Sequence, residues 1–149
     1  MNLIRKNLVL VIVTSLFIGL NACCNKKDCA GFDELNEIQM LNFAAADVDS
    51  ISFEIFEAGS NFSSRLDSSF SNAHDRTGGS TELILFVPEY LQTTHAYRVT
   101  LHSTGQVYQL TDFTVKKEEC NCPSDKYNAL ESYVLNGTVH RSATVAISN

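Results

Sequence analysis

Alternation with a period of two is the feature that most restricts what this chain can become. Ile51, Phe53 and Ile55 alternate with Ser52 and Glu54, and Tyr97, Val99 and Leu101 alternate with Arg98, Thr100 and His102. Successive side chains of an extended strand point to opposite faces, so both stretches read as strands with one buried and one wet face. Leu83-Ile84-Leu85-Phe86-Val87 is apolar on both faces, as a central strand must be, and Pro88 stops it. Ser103-Thr104-Gly105-Gln106 supplies a turn, and Val107 to Val115 returns as the partner strand, with a bulge expected near Leu110 to Asp112. Asn136-Gly137, between Tyr133-Val134-Leu135 and Thr138-Val139, is a strong hairpin signal. Strands through Glu37 to Phe43 and Ala143 to Ile147 bring the expected number to between six and eight. No long helical pattern competes. The expected fold is all-β, a small antiparallel sandwich of two sheets.

Gly59 to Ser80 fits this scheme least, being a Ser-rich run of 22 residues. Phe62, Leu66 and Phe70 fall four apart, which allows a two-turn helix packing one face on the core; a strand through Ser64 to Phe70 is the competing reading. Asn72 to Ser80 is expected as an exposed loop.

Leu91-Gln92-Thr93-Thr94-His95-Ala96-Tyr97 resembles the corner that precedes strand F in fibronectin type III and other immunoglobulin-like domains: Leu, five residues, then Tyr. The resemblance implies an immunoglobulin-like sandwich in which Leu91 and Tyr97 define the crossover. It implies no activity, because this fold carries many functions.

The N-terminus reads as an address. Met1 to Asn7 holds Arg5 and Lys6 and no acid, and Leu8 to Leu20 is thirteen residues without a charge. A membrane-spanning helix needs about 20 apolar residues, so the stretch suits the apolar core of a secretory signal instead. Leu20-Asn21-Ala22-Cys23 resembles the lipobox of bacterial lipoproteins, with an aliphatic residue, a variable one, a small one and then the modified cysteine. The resemblance implies cleavage before Cys23 and lipid on its thiol, and several acyl chains on one residue anchor a protein stably with no spanning helix. Three segments follow: a signal peptide over 1–22, a lipidated tether over 23–32 and a sandwich over 33–149. Cys24 rather than Asp follows the modified cysteine, which in enterobacterial-type lipoproteins favours the outer membrane. Asn25-Lys26-Lys27-Asp28 resembles in part the surface-display tether of Bacteroidetes-type lipoproteins. The expected location is the bacterial outer membrane, periplasmic or surface-facing.

Removing Arg5 and Lys6 with the signal leaves 9 basic and 17 acidic residues, a net charge of −8. An acidic surface with no local basic cluster repels phosphate backbones, so nucleic acid is not an expected partner.

Lipidation of Cys23 leaves four cysteines, Cys24, Cys29, Cys120 and Cys122. An even number in an oxidising compartment reads as disulfides stapling the tether to the segment near residue 120, worth roughly 4–5 kcal/mol in the chain-entropy model. A four-thiolate metal site or a redox pair is the alternative, although the one residue between Cys120 and Cys122 does not suit the paired spacing of zinc sites.

Other chemistry finds little support. His74, His95, His102 and His140 fall on loops or outward strand faces and read as surface residues. Asp47-Val48-Asp49 lacks the Gly and Glu that complete a calcium loop of the EF-hand kind, and reads as a turn entering a strand. Asp49-Ser50-Ile51 resembles the short O-glycan acceptor motif of Bacteroidetes-type envelope proteins. Many serines are present but no Gly-x-Ser-x-Gly and no phosphate-cradling glycine loop, so neither an enzyme, nor a catalytic residue, nor a metal, nor a cofactor is expected. Sugar-binding sites rest on flat aromatic rings, and with no Trp in the chain Tyr90, Tyr127 and Tyr133 are the candidates. The expectation is a lipid-anchored, non-enzymatic binding or accessory module whose partner is another envelope protein or a glycan, with thiol-based metal binding or redox chemistry as the alternative.

Overall fold

A computed structural model describes residues 31–75, 82–120 and 126–149. The stretch 1–22 expected as a signal peptide, and Cys23, Cys24, Cys29 and Cys122, lie outside the described residues. Among the described residues ten strands form in chain order: β1 (Glu37–Leu41), β2 (Ile51–Glu57), β3 (Arg65–Ser71), β4 (Ala73–Asp75), β5 (Glu82–Phe86), β6 (His95–Leu101), β7 (Val107–Glu119), β8 (Lys126–Leu135), β9 (Thr138–His140) and β10 (Ala146–Ser148). Single 3₁₀ turns at Phe32–Glu34 and Ala45–Asp47 are the only helical pieces among the described residues.

The strands make two sheets, ordered β10-β1-β5-β4 and β3-β2-β6-β7-β8-β9. The pairs β1–β5, β4–β5, β2–β3, β2–β6, β6–β7 and β8–β9 are antiparallel, while β1 and β10 run parallel with Met40 opposite Ile147. The all-β sandwich expected from sequence is therefore what the chain forms. Its first seven strands follow the immunoglobulin order, in which a B-E-D sheet faces a C′-C-F-G sheet. C-terminal β10 takes the edge that the first strand holds there, and β8 and β9 extend the larger sheet.

The alternation sets which face is buried. Ile51, Phe53 and Ile55 of β2 lie opposite Leu101, Val99 and Tyr97 of β6, all buried, while Ser52 and Glu54 take the outer face together with Phe56, which is buried there. Ile38 and Met40 of β1, Leu83 and Leu85 of β5 and Ile147 of β10 meet them from the smaller sheet. One ring per strand crosses the larger sheet: Phe53, Tyr97, Phe113 and Tyr133 lie 5.3, 5.7 and 6.1 Å apart in turn, and His140 of β9 stacks on Tyr133 at 5.4 Å. Burying one such ring contributes roughly 1.5–3 kcal/mol, so this row is a main source of cohesion.

Several sequence expectations shift. Phe62, Leu66 and Phe70 do not build a helix; Arg65–Ser71 is a strand whose Leu66 and Phe70 stay exposed, and Phe62 sits in the preceding turn at φ 59°. Pairing with β2 outweighs the helical spacing, because Ile51 and Phe53 offer a strand edge while no apolar surface awaits a helix face. The segment after Asn72, expected as loop, includes β4, whose Ala73 is buried. β5 keeps Leu83, Ile84 and Leu85 inside but leaves Phe86 exposed. Phe32, left to the tether by sequence, is 2% exposed and packs on Phe113 at 5.2 Å, so the packed domain begins before residue 33. Asp112 at φ 50° marks the irregularity in β7, and Asn136 at φ 49° with Gly137 at φ 81° makes the β8–β9 turn. Positive φ at both central residues matches the twist of the flanking strands, which is why Asn-Gly serves there.

Candidate functional site

The corner between β5 and β6 organises an open surface that carries polar side chains. Leu91 is fully buried, and its N–H donates to the Leu35 carbonyl at 2.7 Å. Its neighbours Tyr90 and Gln92 are therefore turned outward. Tyr97 Oη accepts from the Gln92 N–H at 2.6 Å, tying the corner to the core of β6. Burial pushes the Tyr97 hydroxyl up to about 12, against a smaller lowering by its bond to the Gln92 backbone. Leu91 and Tyr97 thus hold this short segment from below and from behind.

Tyr90 is 55% exposed and stands between two shallow depressions. One, of about 370 Å³, is lined by Tyr90, Gln92, Thr93, Thr94, Asp33 and Asn128 over a floor of Phe32, Leu91 and Val115. The other, of about 480 Å³, is lined by Tyr90, Gln92, Asn36, Pro88 and Glu89. Thr94 Oγ1 donates to Gln92 Oε1 at 3.4 Å, which leaves the Gln92 amide N–H₂ group available as a donor. An exposed ring flanked by amides, hydroxyls and carboxylates can cover an apolar sugar face while its neighbours bond the hydroxyls.

The other two tyrosine candidates are differently placed. Tyr133 is a core residue, 1% exposed, and cannot meet a ligand. Tyr127 is half-buried and donates to Glu118 at 3.0 Å; Glu118 also pairs with Lys116 at 2.7 Å, and these two partners, Lys116 first, lower its carboxyl below the ordinary range. They line a separate cleft of about 430 Å³ with Glu131 and Arg141. Lys116, Glu118 and Tyr127 spend their polar groups on one another there.

The outer face of the larger sheet carries a charge cluster that sequence did not single out. Arg98 lies with Cζ 4.8 Å from the Phe56 ring centre and 4.9 Å from that of Phe62, and pairs with Glu54 at 3.3 Å. Arg65 reaches the same carboxylate at 3.1 Å. Cross-strand spacing in a sheet was the available signal, because Glu54 lies directly opposite Arg98.

The histidines are not all free of contacts: His140 stacks on Tyr133, His95 meets Tyr97 edge-on at 6.2 Å, and His102 stacks on Phe70 at 5.8 Å. Asp47 accepts from the Ala44 N–H at 3.2 Å and Asp49 from the Ser103 hydroxyl at 2.7 Å, which fits a strand-entry turn. Ser50 is exposed beside them. Among the described residues no three His, Cys, Asp or Glu side chains gather as a metal site, and no Ser or Thr hydroxyl bonds to a histidine. Cys120 lies just past the end of β7. No helix among the described residues is long and apolar enough to cross a membrane. No protein-family model, curated protein or solved structure matches the chain.

Proposed function

We propose that this chain is a lipid-anchored envelope protein, non-enzymatic, whose sandwich presents the Tyr90 groove to a neutral oligosaccharide. The exposed Tyr90 ring between two polar depressions is the observation that carries the reading. Asp33 and Glu89 border the groove, so uronic acids and other anionic sugars are disfavoured. The anchor is proposed from Leu20-Asn21-Ala22-Cys23, and outer-membrane residence from Cys24 in place of Asp. The four cysteines after the anchor are proposed as two disulfides joining tether to domain, a reading supported by their even number.

The test is a titration of the intact chain with neutral gluco-, manno- and N-acetylglucosamine oligosaccharides beside their uronic-acid counterparts. Binding of one neutral series, weakened at least tenfold by Tyr90→Ala with an unchanged melting temperature, is the expected result. Binding that survives Tyr90→Ala, or no binding by any neutral series, overturns the groove assignment. Lipid on Cys23 is checked separately, by incorporation of a labelled fatty acid that Cys23→Ser abolishes.

A further inference from the structure

Sheet edges that expose main-chain donors and acceptors invite pairing with another strand. Among the described residues, the edge strands β4, β9 and β10 are three residues long, whereas the edge strand β3 is seven. β3 holds no Lys or Pro, and its Phe70 and Leu66 are 79% and 54% exposed. His102 stacks on Phe70 and holds the ring in place without covering it.

The hydrogen-bond parity of β3 follows from its neighbours. His102 N–H donates to the Ser50 carbonyl and Ala58 N–H to the Thr94 carbonyl, so even-numbered residues of β2 bond β6 and odd-numbered ones bond β3. Odd-numbered β2 residues lie opposite Asp67, Ser69 and Ser71, which turns the N–H and C=O of Ser68 and Phe70 to the free edge. Asp67 Oδ1 accepts from the Ser68 N–H at 2.7 Å, a local partner that pairing would replace by a carbonyl.

We infer that β3 pairs antiparallel with β3 of a second copy, about a two-fold axis through Ser68. In that register Ser68 exchanges two main-chain hydrogen bonds with its own counterpart. Leu66 of each copy then lies opposite Phe70 of the other on the outer face, and Asp67 lies opposite Ser69. Centring the pair on Asp67 instead would set two carboxylates against each other, and centring it on Ser69 would leave Leu66 opposite Asn72. The register through Ser68 is the one that covers all four exposed apolar side chains and opposes no like charges. The result is a continuous twelve-stranded sheet.

The test is sedimentation of the full chain in density-matched detergent, as wild type, Leu66→Lys and Phe70→Glu. Both substitutions fall on exposed side chains, and an unchanged melting temperature checks that the fold is kept. The wild type is expected to dimerise, and each variant alone to weaken dimerisation at least tenfold. A one-to-one mixture of the variants is expected to restore it, because the new Lys and Glu face each other while the remaining Phe70 and Leu66 stay paired. A wild type that is monomeric throughout, dimers indifferent to both substitutions, or a mixture that fails to recover would each overturn the inference.

Discussion

Tyr133 Oη donates to the Ala146 carbonyl at 3.0 Å and accepts from the Ala146 N–H at 2.9 Å. The two residues belong to different sheets, Tyr133 to β8 and Ala146 to β10. One hydroxyl therefore satisfies both polar groups of a backbone unit across the sandwich and pins the parallel C-terminal strand in place. Tyr133→Phe keeps the ring contacts with Phe113 and His140 but leaves both Ala146 groups without their partner. Groups left unsatisfied cost about 1–3 kcal/mol each when they stay buried. An expected loss of about 2 kcal/mol should show as a lower urea midpoint with an unchanged slope. An unaltered midpoint would mean that β10 is held by its pairing with β1 alone.

Alkaline pH should expose the Tyr97 corner. Its hydroxyl lies at about 12 in the fold against 10.0 in a free chain, so the folded state favours the neutral form. Its contribution is complete below pH 10 and is lost as pH rises from 10 to 12, because there the unfolded state sheds the proton first. Two units at roughly 1.4 kcal/mol each give a loss of about 3 kcal/mol across that window. Urea titrations at pH 9, 10 and 11 should show the decline, with a shallower one in Tyr97→Phe. Equal slopes in the two proteins would remove Tyr97 from the account.

Tyr90 and Leu91 are adjacent and should behave oppositely. Leu91 is fully buried, and Leu91→Ala should cost about 2–5 kcal/mol through lost burial and the cavity left behind. Tyr90→Ala removes an exposed ring and should stay within about 0.5 kcal/mol of wild type. Chemical denaturation of both variants checks this. A large cost for Tyr90→Ala would identify its ring as a packing element instead of a ligand platform.

The contrast also shows what was legible in the chain. Strands with one wet face, such as β2 and β6, announce themselves because each inward residue is apolar and each outward one mostly polar. Within Lys126–Ser132 the first part of β8 gives no such signal, since neighbouring Ala129 and Leu130 are both buried. β3 was obscured by its three serines and by apolar residues that face solvent. Of the groove, Tyr90 could be picked out by type, and Leu91 and Tyr97 by their spacing. Asn36, Asp33 and Asn128 could not, because the first two come from the segment before β1 and the third from β8, which only the folded sandwich brings together.

The Arg98 cluster allows charge to be separated from stacking. Arg65 is well exposed, and its bond to Glu54 should contribute little, so Arg65→Ala is expected to cost at most about 0.5 kcal/mol. Arg98 is held between two rings, and Phe62 keeps a left-handed backbone that bulky residues avoid, at φ 59°. The stacking on Arg98 and the edge contact with Phe56 at 5.2 Å are what offset that cost. A double-mutant cycle between Arg98→Ala and Phe62→Ala should therefore give a coupling of about 1 kcal/mol. Raising the salt to about 1 M should weaken the two ion pairs of Glu54 while leaving this coupling nearly intact, since the ring contact excludes the ions that screen exposed charges. A coupling near zero would mean that Phe62 is held by its turn, and a coupling that vanished with salt would mean that Arg98 acts through Glu54.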